Sequence, residues 1–420
     1  MSFKNMMVAP HYLATKTGAD ILKEGGNAVE AIIAAAATIS VVYPHMNSMG
    51  GDNFWLISDK NKKVTAIDAC GNAAKYASTE FYNKKGLNKI PSRGALSALT
   101  VPGAVSGWKL ANDFSIKNLG GKLPLSRLLY DAEQLSKDGV AVTNTLKNNL
   151  TSKLSQLIDI PGFKEIYLKD DKIPDVGDKL TFPAMSKTFS NLIKNGLDDF
   201  YIGEVSENII SDLSDLGSPL SKIDFNNYNA SLVKPLELKI KNTKLFNLPP
   251  PTQGLASILI LGVLDELSVL YKDDVDFIHT IVEATKVVFK IRDKYVCDPQ
   301  YMIKDVNQFL SKDCIENLAN EINFQKAMPW PEANIGGDTV WLGASDSYGN
   351  TVSFIQSIYW EFGSGLILPK TGITMQNRGI SFSLEQNHFN KLIPGRKPFH
   401  TIQPALAQFD DGRVMSYGTM

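Results

Sequence analysis

Apolar residues recur at helical spacing from Tyr12 to Leu22, and Gly25-Gly26 then supply a stop that can enter the left-handed region. Asn27 can cap the helix that follows. Its run "AIIAAAATISVVY" is apolar nearly all round, which predicts a helix buried on every side and ended by Pro44. "SMGGDNFWLISDKNKKVTAIDA", residues 48 to 69, reads as two strands joined by a polar turn at Asp59–Lys63. From about 105 to 235, polar helices such as "LLYDAEQLSKDGVAV" alternate with Lys- and Asp-rich loops, with no repeat period. "KPLELKIKNTKLFNLPPPTQG" predicts two strands closed by a stiff proline turn. Two helices follow, "LASILILGVLDELSVL" and "FIHTIVEATKVVFKIRDKYVCDP", the second closing near Asp298-Pro299. Residues 302 to 335 carry little regular signal. Alternation in 339 to 345 and again in 351 to 357, around Ser-Tyr-Gly-Asn, predicts a hairpin, and "GLILPKTGITMQN" predicts a further strand pair. The sum is helices outside and antiparallel strands inside.

Composition narrows the class without naming a chemistry. Of 420 residues, 44% are apolar and 21% charged, as in soluble globular proteins. The formal net charge of −1 gives no global field to draw in nucleic acid or an acidic membrane surface, so neither is expected as a partner. Three cysteines, Cys70, Cys297 and Cys314, form neither a disulfide framework nor a CxxC pair and suit a reducing compartment. The first twenty residues show no signal-peptide pattern, and the run at 31 to 43 is too short to span a bilayer. The expected location is the cytoplasm.

The common catalytic signatures are absent: there is no GxxxxGK[ST], HExxH or GxSxG, and no spaced Cys/His metal set. The five histidines are scattered. Gly50-Gly51 precede a strand rather than a helix and read as a close backbone approach. The remaining feature is "GGDTVWLGASDSYGNTVSFIQS", where two glycines and an aspartate lead into Thr339 at a strand start. A threonine hydroxyl is a poor nucleophile unless a base sits beside it. Cleavage before Thr339 creates that base, because the freed α-amine has a reference pKa near 8. Read locally, a strand that happens to begin with threonine is the commoner case.

The wider sequence resembles the γ-glutamyltransferase (glutathione hydrolase) family of N-terminal nucleophile hydrolases. Seven segments carry the resemblance, in the family's order and over almost the whole chain. They are the stretch from "MVAPHYLATKTGAD" to "GGDNFW", "VPGAVSGW", "LPPPTQGLASILIL", "EATKVVFKIRDKYVCDP", "GDTVWLGASDSYGNTVS", "FGSGLILPKTGITMQN" and "PGRKPFHTIQPALAQFDDGR". The resemblance implies an α+β fold, a four-layer αββα sandwich made as a proenzyme. It places the cut between Asp338 and Thr339, giving a large-subunit region at 1–338 and a small-subunit region at 339–420 of one fold. It makes Thr339 the nucleophile and Ser357 its hydroxyl partner, in place of the family's threonine. His400 and Thr401 fall where typical members have a Ser-Ser pair near the substrate carboxylate.

The departures bear on the substrate. The family arginine that holds the γ-glutamyl α-carboxylate aligns with Cys70. The family's carboxamide and acidic residues at the α-amino group align near Arg378 and Ser381, and an asparagine contact aligns with Tyr359. A polar site that loses its partners loses orders of magnitude in discrimination. Arg378 adds a charge that can bind a carboxylate in another way; a surface ion pair is its plain alternative. The chain as given also ends before the Gly-Gly whose amides stabilise the oxyanion in the family, which reads as a truncation. Losing one such donor costs roughly a hundred- to a thousandfold in rate.

Three functional expectations follow. The first is an autoprocessing amidohydrolase or acyltransferase for a small carboxylate-bearing amide. It needs no metal or organic cofactor, and its protein partner is the other subunit of the same precursor. Binding of the substrate would involve Tyr359, Arg378, His400 and Thr401. The second is a non-catalytic relative that keeps the fold as a binding or scaffold protein, and the third is a true glutathione hydrolase. Homo-oligomerisation is left open.

Overall fold

Capping decides where the first long helices start. The computed structural model describes residues 4–268, 273–330 and 339–419. In it His11 Nδ1 accepts from Leu13 N at the start of the Tyr12–Lys23 helix. Asn27 Oδ1 accepts from the N–H groups of Val29 and Glu30, while Glu30 Oε2 takes Asn27 N at 2.7 Å, a reciprocal capping box. Every residue of the Ala28–Val42 helix is buried, as its apolar run predicts. The one charge on it, Glu30, is matched: Oε1 accepts the N–H groups of Lys122 and Leu123, each at 2.7 Å.

The strands are β1 (Met6–Val8), β2 (Asp52–Ser58), β3 (Val64–Ala69), β4 (Val140–Ala141), β5 (Lys179–Leu180), β6 (Ser231–Val233), β7 (Leu236–Ile240), β8 (Thr243–Asn247), β9 (Val340–Ser345), β10 (Thr351–Ser357), β11 (Ala405–Phe409) and β12 (Val414–Tyr417). Six of them form a sheet in the order β1-β9-β10-β2-β3-β6, and four form a second, β12-β11-β8-β7. The pairings between these strands are antiparallel, and β4 with β5 makes a small separate ladder. Among the described residues three apolar clusters hold the parts together. The largest packs the two N-terminal helices against Trp55, Ile57, Val340, Leu342, Val352 and Phe354. A second joins the Gly254–Leu267 and Asp274–Tyr295 helices to Leu236, Leu245 and Ala407. The third contains Phe54, Leu56, Phe246, Leu248, Ile355 and Leu406, drawn from both sheets. Among the described residues no helix is long and apolar enough to cross a membrane.

The β9–β10 hairpin is central to the larger sheet, with β10 lying between β9 and β2 and buried throughout. Its turn is fixed from outside. Asp346 Oδ2 accepts Ala28 N, the first N–H of the buried helix, at 2.8 Å, and also Asn350 Nδ2. Its Oδ1 accepts the N–H groups of Tyr348 and Asn350. A carboxylate at a helix N-terminus meets unpaired N–H groups and the positive end of the helix dipole. At the other end, Gly50 and Gly51 let chains close in. A Cβ at Gly50 would lie 2.2 Å from Thr374 O, and one at Gly51 2.2 Å from Ser357 O.

Two expectations need correction. "GLILPKTGITMQN" does not form a strand pair; it makes isolated bridges only, Ile367 with Thr374 and Gly50 with Met375. Pro369 lacks an N–H, and Gly372, at φ +70°, turns the chain within the loop, so one bridge is all the ladder it sustains. Residues 302 to 330 are more regular than their polarity suggests. Ser311 caps a helix over Lys312–Asn320 that buries Ile315, Leu318 and Ala319 at positions i, i+3 and i+4.

Replacing Asp346 with alanine leaves the helix-start and turn N–H groups without their acceptor. An Asp346→Ala variant is expected to unfold in urea with a stability about 2–4 kcal/mol lower. An unchanged midpoint and slope would show that the turn is not held there.

Candidate active site

Thr339 sits one residue before β9 and Ser357 is the last residue of β10, so the hairpin brings both to one end of the sheet. Thr339 Oγ1 donates to Ser357 Oγ at 2.9 Å. Both side chains are buried, with Thr339 7% exposed. Ser357 Oγ also accepts Tyr359 N at 2.9 Å. Tyr359 is held at φ +82°, a left-handed conformation that costs a tyrosine about 1–3 kcal/mol. That turn aims its ring at Arg378, whose guanidinium carbon lies 3.7 Å from the ring centroid.

Arg378 opens a short 3-10 turn, Arg378–Ser381, and is 1% exposed, which excludes the surface ion pair. Its Nη1 donates to Thr401 Oγ1 at 3.3 Å. Among the described residues Nε and Nη2 have no hydrogen-bond partner, and neither does Ser381 Oγ. Burial lowers the arginine pKa from its ordinary value, with the nearby Asp52 acting the other way. A cavity of about 550 Å³ opens beside Thr339, lined also by Gln253, Ser257, Ile355, Thr401, Gln403 and Tyr417. Thr401 thus belongs to both the cavity wall and the arginine's hydrogen bonding.

His400 lies beside this run rather than in it. Its Nε2 is 3.0 Å from Asp52 Oδ2, and its ring meets Phe54 edge-on. Burial, then the charge on Arg378, pulls its pKa down to about 4, so the imidazole is neutral at pH 7. Asp52 is wholly buried, and its other oxygen accepts from Gly71 N, Gly103 N and Gln376 Nε2. Cys70 is also buried, and burial with the nearby Asp52 and Asp68 charges keeps its thiol well above the usual range. Asp52, Cys70 and His400 offer metal-ligating atoms within 4.8 Å of one another. The Asp52 oxygens are already taken by four donors, however, and the positive charges of Arg378 and Lys397 act on this group, which disfavours a cation.

Thr339, Ser357, Tyr359, Arg378 and Thr401 are therefore joined in space, and His400 adjoins them through its neighbour Thr401 and the Arg378 charge. Asp338 lies outside the described residues. Asp52 was not singled out from sequence. The available signal was "GGD" at a strand start, the same triplet that precedes Thr339, and the register then sets Asp52 opposite Ser357.

The family model described as Gamma-glutamyltranspeptidase matches residues 14–420. An oxamate amidohydrolase proenzyme from Klebsiella pneumoniae subsp. pneumoniae is 46% identical over 420 residues, covering all of this chain and 79% of the relative. The glutathione hydrolase-like YwrD proenzyme of Bacillus subtilis is 34% identical over 99% of this chain and 78% of its own length. Among solved structures, a cephalosporin acylase from Bacillus halodurans superposes with a TM-score of 0.91 at 32% identity, over 98% of this chain and 76% of that one. The chain belongs to the gamma-glutamyltranspeptidase family, as an enzyme of the hydrolase kind that its proenzyme relatives represent.

Proposed function

We propose that Thr339 is the N-terminal nucleophile of an autoprocessing amidohydrolase whose substrate is a small amide bearing a carboxylate. The reading includes a cut between Asp338 and Thr339, dividing one fold into regions 1–338 and 339–420. It also includes the four-layer αββα order, which the apolar cluster drawn from both sheets and the helix-to-sheet clusters support.

The observation that carries the function is the unbroken run Thr339–Ser357–Tyr359–Arg378–Thr401, from a hydroxyl to a buried cation and back to the cavity wall. A desolvated guanidinium with no carboxylate at ion-pair distance among the described residues is expensive to keep, and a substrate carboxylate offsets that cost with charge-assisted, paired hydrogen bonds. In the reaction, the Thr339 α-amine takes the proton of Oγ1 as Oγ1 adds to the amide carbonyl. The C–N bond breaks, the amine leaves with that proton, and an ester to Thr339 remains. Water then adds to the ester under the same base, releasing the acid and restoring the hydroxyl. Ser357 Oγ, 2.9 Å from Oγ1, holds it in one orientation, and as the Oγ1 hydrogen turns to the α-amine the Ser357 hydroxyl can donate to Oγ1 in its place.

Oxamate, the compound in the Klebsiella relative's name, is a primary amide joined directly to a carboxylate, and it fits this class. A γ-glutamyl head is less well served. The buried Cys70 is held as a neutral thiol, and Arg378 stacked on Tyr359 supplies the positive charge in the run.

Thr339→Ala is expected to stay a single chain on a denaturing gel and to hydrolyse nothing, while the unsubstituted chain gives two fragments with a new N-terminus at Thr339. A single uncut species from the unsubstituted chain after prolonged incubation sinks the proposal. Arg378→Met, close in volume, is expected to be cleaved normally but to show a KM for oxamate about 10–100-fold higher, with Arg378→Lys intermediate. Equal KM values across the three proteins would remove Arg378 from substrate binding.

A further inference from the structure

Asp52 starts β2 and is fully buried, with Ser357 opposite it in the register. Three donors converge on Oδ1: Gly71 N at 3.1 Å, Gly103 N at 3.0 Å and Gln376 Nε2 at 3.1 Å. They fix the rotation of the carboxyl group and leave Oδ2 facing His400 Nε2 at 3.0 Å. A carboxylate oxygen carries no hydrogen, so Nε2 must donate. The neutral imidazole then keeps its lone pair on Nδ1. That atom is buried and has no hydrogen-bond partner among the described residues, and the same holds for Arg378 Nε and Nη2. The arginine's charge acts on this ring.

We propose that Asp52 is a positioning residue that sets the His400 tautomer, so that Nδ1 is a fixed acceptor on the residue preceding Thr401, whose hydroxyl Arg378 Nη1 meets at 3.3 Å, and the site selects small carboxylates that also carry an N–H. The selectivity rests on the reading that Arg378 takes a substrate carboxylate. A carboxylate offers acceptors only, and the guanidinium matches it. Nδ1 is matched only by a ligand hydrogen. A primary oxamic amide supplies both groups, whereas its N,N-dimethyl analogue leaves the imidazole lone pair desolvated and unpaired. A buried acceptor left unpaired corresponds to about a tenfold to hundredfold loss in affinity.

The tautomer can be inverted without moving the ring. In an Asp52→Asn variant the three N–H donors still require oxygen at the Oδ1 position, so the amide NH2 faces His400 Nε2. Nε2 then accepts, and Nδ1 carries the hydrogen.

The test has two readouts on the full chain. The first is nitrogen-15 NMR of histidine-labelled protein, with the His400 signal assigned by its loss in His400→Gln. The second is calorimetric binding of oxamate and N,N-dimethyloxamate to Thr339→Ala protein, with Asp52 present or replaced by asparagine. The expected result is an Nε2–H tautomer with Asp52 and an Nδ1–H tautomer with asparagine. The preference for oxamate, about tenfold to hundredfold, should collapse toward parity in the second protein. If Asp52→Asn does not fold, His400→Phe replaces it, because it keeps a ring but removes the acceptor and should also abolish the preference. An Nδ1–H tautomer in the unsubstituted chain overturns the proposal, as does a preference that survives Asp52→Asn or His400→Phe. Failure of oxamate to bind with Asp52 present overturns the substrate reading and the selectivity together. It is recognised because no probe then binds, while the NMR signal still reports whether Asp52 sets the tautomer.

Discussion

One carboxylate at the start of a buried helix holds the turn of the β9–β10 hairpin, and the far end of that hairpin depends on it. Asp346 takes Ala28 N and three groups of its own turn, so the turn cannot slide relative to the Ala28–Val42 helix. A one-residue slip in a strand moves every side chain to the other face. Here such a slip would turn Val352 and Phe354 out of the helix-side core and move Ser357 away from Thr339. The apolar face and the hydroxyl pair are thus specified by the same register. Gly50 and Gly51 complete the constraint, because a side chain at either would push against Thr374 or Ser357 backbone.

Around that fixed end, the polar groups are sorted by charge. Burial keeps the Cys70 thiol and the His400 ring uncharged. Lys397 is paired with Asp68 at 2.6 Å. Arg378, stacked on a strained tyrosine, differs from these in holding positive charge without a carboxylate at ion-pair distance among the described residues. Charge of one sign, desolvated and directed, is a strong basis for recognising small anions and a weak one for recognising long, flexible substrates.

Much of this was legible in the chain and some was not, for identifiable reasons. The hairpin, the capped helices and the Asp59–Lys63 turn follow from periodicity and turn chemistry, which act locally. Thr339 does not stand out locally, since a strand-initial threonine is ordinary; seven segments in order raised it. The burial of Arg378 had no local signal, because its surroundings come from Tyr359 and Thr401, distant in sequence. Asp52 drew no attention beside Gly50-Gly51, and only the strand register shows that it faces Ser357. The segment 365–377 misled because its apolar residues serve loop packing rather than a ladder.

The order of strands has a consequence for what a single proteolytic event would create. In the larger sheet β9 and β10 are flanked by β1 on one side and β2 on the other, and in the second sheet β11 lies beside β8. If the proposed cut before Thr339 is made, β9 and β10 of one polypeptide lie between β1 and β2 of the other in the larger sheet, and in the second sheet the β12-β11 pair adjoins β8 along one seam. Neither can leave without breaking ladders on the inside of the fold. A pair made by that cut would therefore stay together, and halves from different precursors would have no route to exchange short of unfolding.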